Sequence, residues 1–242
     1  MLYSLYGSEI ILFFDPVNLF VNDIPVTILK PGHEPESGDY NVALDARKSV
    51  ITRATLVKHI WVHHAGTEHL DTILDLINLK VPIDLLSLVL SVENYNEVKL
   101  YLKSKFKIVK AAGGLVRKKE RSLMIYRMKK WDLPKGKKEP GEKSRETAGR
   151  EVVEECNVKV KVGEKICTTW HTYTMNKNAM LKKTRWYAME LVDDSRMKPA
   201  GEEDIEDVRW MTQKEVYHAL ENSYRSIRFV FEEYYRKTEA VK

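Results

Sequence analysis

Three glutamates stand close together in the second half of the chain, where Glu151, Glu154 and Glu155 occur in the sequence REVVEE. On a helix, at about 100° per residue, their side chains fall within roughly a third of the circle. Like charges at this spacing cost a few tenths of a kcal/mol. The cluster is therefore either a solvated helix face or an arrangement that needs its negative charge. In the second case the chemistry would be binding of a hard cation such as Mg²⁺, which closely spaced carboxylates suit.

The segment that carries these glutamates has the features of a short amphipathic helix. Ser144 is of a residue type that caps helices, and we expect the helix to run from there to Cys156. Gly149 in mid-helix costs on the order of 1 kcal/mol relative to Ala, which suggests close approach to a neighbouring strand. Asn157 is expected to end the helix in the left-handed conformation, where Asn is the best substitute for Gly.

The spacing of the surrounding residues resembles the Nudix box of the Nudix hydrolases. Gly136 is followed after five residues by Glu142, and after seven more by the run from Arg150 to Glu155, with the apolar Val158 beyond it. Every fixed position of the box matches except its last glycine, which is Asn157 here. This departure is mild, because a left-handed cap tolerates Asn.

The resemblance implies roles for the charged residues of the box. Glu154 and Glu155 would be ligands of Mg²⁺ or Mn²⁺, and Glu151 would be either a ligand or the general base. Arg150 would brace Glu142, so Glu151, Arg150 and Glu142 are the candidate catalytic residues. Hydrolysis of a phosphoanhydride needs neutralised phosphate charge and a deprotonated water, and divalent ions assist both.

Nudix enzymes often take a further metal-binding glutamate from a loop beyond the box. The sequence AGEEDIEDVRW offers Glu202 and Glu203 in such a loop, and we expect Glu203 to be the additional ligand. A plain acidic loop is the alternative explanation. The candidate metal ligands are Glu151, Glu154, Glu155 and Glu203.

A lysine-rich loop, WDLPKGKKEPGE, leads into the box. It is either a solvated basic loop or a phosphate contact beside the metals. Its LPKGK sequence is similar to the Nudix branches that cleave dinucleoside polyphosphates and diphosphoinositol polyphosphates. Trp131 would stack on a base or act as a buried anchor, and His171 with Tyr173 would line the pocket or pack at the sheet edge. The candidate substrate-binding residues are Lys135, Lys137, Arg127, His171 and Tyr173.

The function implied by the resemblance is Mg²⁺- or Mn²⁺-dependent hydrolysis of a nucleoside diphosphate linked to another group. Dinucleoside polyphosphates or similar polyanions are favoured, and an ADP-ribose or oxidised-nucleotide pyrophosphatase is the alternative enzyme. A non-catalytic nucleotide-sensing module is the alternative from another class, although the intact carboxylates favour catalysis. The expected partner is a small nucleotide or another pyrophosphate; we expect no nucleic acid, and we also consider a homodimer.

Composition limits the class of protein. The chain has 242 residues, 43% hydrophobic and 31% charged, as in ordinary globular proteins. Its net charge of +5 favours anionic ligands without separating nucleic acid from small phosphates. We expect no membrane span and no signal peptide, because no apolar run is long enough and the N-terminal sequence carries Glu9 but no basic region. The two cysteines, Cys156 and Cys167, fit a reducing cytosol, so we expect a cytoplasmic protein.

The sequence predicts two parts that meet near Phe106. Residues 1–106 would form a small accessory α/β domain of unknown role, and residues 107–242 a Nudix α/β/α sandwich with a mixed sheet and C-terminal helices. The resemblance itself covers about residues 108–222. Strands are predicted over 9–14, 18–21, 24–29, 52–64, 108–118, 122–128, 158–175, 183–192 and 207–211, and helices over 69–79, 94–106, 144–156, 212–220 and from 223 onward.

Two further patterns carry weaker predictions. His59, His63, His64 and His69 are close in sequence, but no cysteine and no clear fourth ligand joins them at a recognised spacing, which disfavours a zinc site. The last helix has an apolar stripe that indicates core or interdomain packing, with a dimer surface as the alternative. The stripe consists of Tyr224, Ile227, Phe231 and Tyr234 or Tyr235.

Overall fold

The computed structural model describes residues 16–239. The predicted strand over residues 9–14 lies outside them. The elements of the N-terminal part are β1 (Val17–Val21), β2 (Ile24–Leu29), β3 (Val42–Asp45), β4 (Lys58–Ala65), α1 (Thr67–Leu79), β5 (Leu85–Val92) and α2 (Tyr95–Ser104).

The C-terminal part is longer and begins directly after α2. Its strands are β6 (Lys107–Lys118), β7 (Arg121–Arg127), β8 (Lys130–Asp132), β9 (Lys135–Lys137), β10 (Lys159–Met175), β11 (Asn178–Asp193) and β12 (Ile205–Thr212). Its helices are α3 (Ser144–Cys156), α4 (Gln213–Ala219) and α5 (Arg225–Glu239), with 3-10 turns at Gly201–Glu203 and Leu220–Asn222. Within residues 16–239 no helix is both long enough and apolar enough to cross a membrane.

Most predicted elements are confirmed, but the N-terminal part contains differences. The predicted strand over 52–64 begins only at Lys58, because residues 53–55 form a turn that Thr55 holds with a side-chain hydrogen bond from Thr52 N–H at 3.0 Å. Strands β3 and β5 were not predicted. β5 is the apolar run LLSLVLSV, whose period does not separate a buried strand from a helix.

Helix α3 differs from its prediction at the start and agrees at the end. The cap residue is Lys143, whose backbone N–H donates to Glu146 Oε2 at 2.8 Å, so the predicted cap Ser144 is the first helical residue. Asn157 does take the left-handed conformation, with φ of 54°. Gly149 does lie close to a strand, because a Cβ there would be 3.2 Å from Val162 Cγ2.

The strands form one mixed sheet in the order β12-β7-β6-β11-β10-β1-β2-β5-β4-β3, with β8 beside β7 and β9 beside β6. The two parts join where β1 runs parallel to β10, and Phe20 there pairs with His171. The first strand of the N-terminal part is therefore a direct neighbour of a candidate site strand. A domain boundary at residue 106 stays a prediction.

Helices cover both faces of the C-terminal sheet. Neighbouring residues of β6 point to opposite faces, so Val116 packs with Val152 of α3, whereas Leu115 packs with Phe231 of α5. This arrangement confirms the predicted α/β/α sandwich with a mixed sheet. It also shows that the apolar stripe of the last helix packs into the core, where Ile227 and Phe231 are buried.

Candidate active site

The glycine that opens the box lies directly beneath a carboxylate of α3. A Cβ built on Gly136 would be only 2.1 Å from Glu151 Oε2, far inside any normal contact. Glycine is therefore required here, because it lets the backbone of β9 approach the glutamate closely. Glu151 is nearly buried, and this burial raises the pKa of its carboxyl against the opposing charge of Arg150.

Arg150 connects the carboxylates of the box. Its Nε and Nη2 donate to the two oxygens of Glu142 at 2.7 and 3.1 Å. Its Nη1 lies 2.5 Å from Glu154 Oε2 and 2.9 Å from Glu151 Oε1. The hydrogen bond from Arg150 is the main reason that the pKa of Glu142 falls to about 2. The guanidinium therefore offsets part of the repulsion within the cluster.

Glu155 is a fully buried carboxylate whose two oxygens have different surroundings. Its Oε2 accepts a hydrogen bond from the Lys135 backbone N–H at 2.8 Å, but its Oε1 has no hydrogen-bond partner among the described residues. Arg127 Nη1 is 3.6 Å from Oε1, too far for a hydrogen bond. Burial raises the pKa of Glu155 to about 7, against the opposing charge of Lys135. An unpaired buried carboxylate oxygen is costly and calls for a ligand.

The acidic face of α3 is thus not a solvated ridge. Glu151 and Glu155 are buried, and only Glu154, with 48% of its side chain exposed, faces solvent. The first alternative for this cluster, an ordinary solvated helix face, is wrong.

The loop after β11 carries Glu203 toward the same carboxylates. Two backbone N–H groups of this loop donate to carbonyls at the end of α3, Lys198 to Cys156 and Ala200 to Glu155, both at 3.1 Å. Asn157 adds a side-chain bond, from Nδ2 to the Arg196 carbonyl at 2.7 Å. Glu203 Oε2 then lies 3.7 Å from Arg127 Nη1, which also approaches Glu155.

A cavity of about 500 Å³ is lined by Arg127 and Lys135, two residues that contact Glu155. Four of the predicted substrate-binding residues, Arg127, Lys135, His171 and Tyr173, line it. Lys137 is placed elsewhere: its side chain is exposed, and its carbonyl accepts a bond from Arg150 Nη2 at 3.1 Å. The structure therefore brings together all the predicted substrate residues except Lys137.

Trp131 lies outside this lining as well. Its ring packs against Tyr126 with 4.9 Å between centroids, and its carbonyl accepts a bond from Ser223 Oγ at 2.7 Å. The ring is half-buried against the helical cluster on the α5 side of the sheet. Of the two alternatives for Trp131, the structure supports the packing anchor.

The charged side chains that line the cavity are Arg127, Lys135 and Lys182, together with Asp23 and Asp132. Burial, with Lys182 as the second cause, lowers the pKa of His171 to about 4, so this imidazole is neutral near pH 7. The Lys182 ammonium lies 5.8 Å from the Tyr173 ring centroid, and burial lowers its pKa. Burial is the largest single influence on Lys135 and would lower its pKa, but the charges of Asp132, 2.6 Å from its Nζ, and of Glu155 together outweigh burial and raise the Lys135 pKa.

Lys182 is the site residue that sequence reasoning missed most clearly. It pairs with His171 across the β10–β11 hairpin. The turn of this hairpin consists of Asn176 and Lys177, both with positive φ. A two-residue turn sets the register of its strands, so this turn alone places Lys182 opposite His171. The signal was present in the sequence.

The N-terminal part supplies another wall of the cavity that was not predicted. Phe20 at the end of β1, with Asn22 and Asp23 in the following turn, lines the space opposite the C-terminal residues. The Asp23 carboxylate accepts a hydrogen bond from the Arg225 backbone N–H at 2.8 Å, which ties this turn to the start of α5. No local pattern predicts this contact, because it depends on the pairing of β1 with β10.

The donor set of the acidic cluster fits a hard divalent cation. Glu151, Glu154, Glu155 and Glu203 offer oxygen atoms only, which suits Mg²⁺ or Mn²⁺. The observation that favours this fit is that Glu155 Oε1 has no hydrogen-bond partner within the described part of the chain.

The protein has a three-layered α/β/α fold in which a glutamate-rich helix lies against a glycine, and Arg127 and Lys135 connect this helix to a cavity. Such an arrangement suits hydrolysis of a phosphoanhydride bond. The family model described as NUDIX domain matches residues 107–231, just over half of the chain, and the chain belongs to this family.

Several solved structures are similar to this chain. A NUDIX hydrolase from Nitrosomonas europaea is 17% identical over 54% of this chain and 90% of its own, with a TM-score of 0.47. A C. elegans Ap4A hydrolase is 19% identical over 55% and 98%, with a TM-score of 0.44. A bifunctional NMN adenylyltransferase/ADP ribose pyrophosphatase from Francisella tularensis is 18% identical over 57% and 44%, with a TM-score of 0.42. Similarity at this level carries no information about the substrate of this chain.

Proposed function

We propose that the protein hydrolyses a phosphoanhydride bond of a nucleoside diphosphate linked to another group, with Mg²⁺ or Mn²⁺, and that dinucleoside polyphosphates are its preferred substrates. The observation that carries the proposal is the buried Glu155 carboxylate, whose Oε1 has no hydrogen-bond partner among the described residues and which contacts Arg127 and Lys135 of the cavity lining.

The cation would be held by Glu151, Glu154, Glu155 and Glu203. When bound, it would supply charge neutralisation for the phosphates and would lower the pKa of a water molecule. Arg150 would keep the carboxylates in place, since it bonds Glu142, Glu151 and Glu154 together. Binding would also remove the cost of burying the Glu155 charge.

Glu151 would act either as a ligand of this cation or as the general base. A base works best when its pKa is close to the working pH, and burial moves the pKa of Glu151 in that direction. Both roles require the carboxylate to lie against the backbone of Gly136.

The phosphates would bind to the cations of the cavity. Arg127 lines the cavity and approaches Glu155, and its Nε has no hydrogen-bond partner among the described residues. Lys182 and Lys135 extend the positive charge along the same lining. Charge-assisted hydrogen bonds to phosphate are among the strongest that a protein makes. A run of several phosphates suits this arrangement better than a single diphosphate.

The part of the substrate beyond the phosphates would occupy the aromatic side of the cavity. Phe20, Trp186 and Tyr224 line that side, and Asp23 offers a carboxylate that can accept hydrogen bonds from amino or hydroxyl groups. A cavity of about 500 Å³ is within the usual range for a small-molecule site. The N-terminal part would thus shape the substrate site.

A substrate panel tests this proposal. The purified chain is assayed with Mg²⁺ and with Mn²⁺ against dinucleoside polyphosphates, ADP-ribose, oxidised nucleoside triphosphates and diphosphoinositol polyphosphates, with products identified by chromatography. We expect the highest kcat/KM for a dinucleoside polyphosphate. The Glu155→Gln variant should be inactive, and Glu139→Gln, outside the acidic cluster, should match the wild type.

Two results would contradict the proposal in different ways. A highest kcat/KM for ADP-ribose or an oxidised nucleotide would overturn the substrate class but keep the hydrolase. No turnover of any compound with either ion, together with nucleotide binding, would favour a sensing module.

We also propose a cytoplasmic location. Both cysteines of the chain, Cys156 and Cys167, are buried, and two cysteines give no disulfide framework, which suits a reducing compartment.

A further inference from the structure

A second group of ligand-type side chains lies in the N-terminal part, away from the acidic cluster. Strands β3 and β4 run parallel, and their carboxyl ends meet at one edge of the sheet. Asp45 is the last residue of β3, while His63 and His64 stand at the end of β4. The carboxyl edge of parallel strands is where open α/β sheets bind ligands.

The backbone turns two consecutive histidines to the same side. Neighbouring residues of a regular strand point to opposite faces, but the β4–β5 register shifts between Val62 and Ala65, and His64 has a φ of 57°. As a result, His63 Nδ1 and His64 Nδ1 are 2.8 Å apart, with 4.7 Å between ring centroids. Irregularities of this kind re-aim side chains and are frequent beside functional sites.

Asp45 completes the group from the neighbouring strand. It pairs with His63 in the β3–β4 register, and its Oδ1 lies 3.3 Å from His64 Nδ1. Only 13% of its side chain is exposed. Arg47 holds the carboxylate from the other side, with Nε and Nη2 donating to Oδ1 and Oδ2 at 3.1 and 3.0 Å. Such outer contacts commonly fix the orientation of a metal-binding carboxylate.

We propose that Asp45, His63 and His64 bind a divalent transition metal ion, with Zn²⁺ as the preferred ion and water in the remaining position. Two imidazole nitrogens and one carboxylate oxygen form a borderline donor set that suits Zn²⁺ and its neighbours rather than Mg²⁺. Zn–N bonds of about 2.0–2.1 Å place two ligand atoms of a tetrahedral site about 3.3 Å apart. The observed separations of 2.8 and 3.3 Å need only a small opening to reach this.

The two imidazoles are joined by a hydrogen bond of 2.8 Å, and a metal ion would take the place of its proton. Two imidazole nitrogens in contact can share only one proton, whereas a cation accepts a lone pair from each. The His63 ring is already held by Trp61, at 5.0 Å between centroids, so the donors are positioned in advance. All three residues are half-buried, which leaves an ion a path from solvent. The spacing of these residues in the sequence does not indicate a metal site, because only the bend of the backbone at His64 brings them together.

Metal titration of the full chain tests the site independently of the proposed hydrolase function. The protein, without a histidine tag, is titrated with Zn²⁺ by calorimetry in excess Mg²⁺, and Co²⁺ is used for its visible absorption. The test variants are His63→Gln and His64→Asn, and Asn is chosen because it tolerates the left-handed backbone. His59→Ala is the matched control on the same strand, where His59 Nδ1 contacts Ser87 Oγ instead. Glu155→Gln removes the acidic cluster as a source of binding.

We expect one equivalent of Zn²⁺ and a tetrahedral Co²⁺ spectrum for the wild type. Affinity should fall at least tenfold in His63→Gln and in His64→Asn, and should change less than twofold in His59→Ala and Glu155→Gln. A wild type that binds no Zn²⁺ in excess Mg²⁺ would overturn the proposal. The same holds if the test variants bind as tightly as the wild type, or if Glu155→Gln abolishes the binding.

Discussion

Replacing Glu155 by Gln removes a buried charge whose cost follows from its surroundings. Burial raises the pKa of this carboxyl from 4.5 to about 7 in the metal-free protein. At about 1.36 kcal/mol per unit, holding the charge above pH 7 costs up to about 3.4 kcal/mol. Lys135 loses a favourable partner when the charge is removed, so we expect metal-free Glu155→Gln to be more stable by about 1–3 kcal/mol at pH 8.

The direction of the pH dependence follows from the same shift. The folded carboxyl has the higher pKa, so between about pH 4.5 and pH 7 the folded protein binds more protons than the unfolded chain. The stabilisation that the protonated Glu155 gives the folded protein is complete below about pH 4.5 and is lost as the pH rises to about 7. Glu155→Gln has no carboxyl at this position, so it does not lose this stability as the pH rises. Glu151 has a raised pKa in both proteins, so the difference between them isolates Glu155.

Urea unfolding at about pH 5 and pH 8, in EDTA and in Mg²⁺, measures these effects. The stability advantage of Glu155→Gln in EDTA should grow with pH, and Mg²⁺ should stabilise only the wild type. Turnover of the variant should fall by about 100-fold or more. Glu139→Gln, an exposed change that keeps the backbone bond to Glu142, should behave as the wild type. If the free energies of unfolding of the wild type and of Glu155→Gln change equally with pH in EDTA, or if Mg²⁺ stabilises both proteins equally, this prediction is wrong.

Three further predictions concern the framework of the site. Gly136→Ala places a Cβ 2.1 Å from Glu151 Oε2, so kcat should fall at least about tenfold and the melting temperature should fall as well; unchanged kcat would mean that Glu151 can move without loss. Lys182→Met should raise KM about tenfold or more, with kcat within a few fold, because it removes a charged hydrogen bond to phosphate; an unchanged KM would exclude Lys182 from binding. Asn157→Gly removes the exposed hydrogen bond to the Arg196 carbonyl and should lower the free energy of unfolding by about 0.5–1 kcal/mol. Asn157→Val should lower it by about 1 kcal/mol more, because a β-branched residue is strained at a φ of 54°. Thermal melts compare the two, and equal stability would contradict the left-handed cap.

The acidic helix was predictable because its signals are local. The spacing from Gly136 to Asn157 indicates one helix, one preceding glycine and one left-handed cap, and the structure has all of them. The burial of Glu155 was not predictable in the same way. It depends on the Lys135 backbone and on Arg127 from β7, which pack against the carboxylate only in the folded sheet.

Features that depend on long-range pairing were beyond the sequence. Phe20 and Asp23 reach the cavity because β1 pairs with β10, and no local pattern relates segments so far apart. The missed strand β3 is short, and the bend at His64 that groups it with Asp45 has no signature in residue type. Lys182 is the exception, because the two-residue turn at Asn176 and Lys177 sets a register that places it opposite His171.

The most direct test of the central claim is anomalous diffraction from crystals of the full chain soaked in Mn²⁺. We expect a Mn²⁺ peak within about 2.0–2.3 Å of Glu155 Oε1 in the wild type, with Glu151, Glu154 or Glu203 as further ligands. Crystals of Glu155→Gln should show no such peak. A wild-type crystal without a peak at Glu155, and with Arg127 still facing its carboxylate, would contradict the claim.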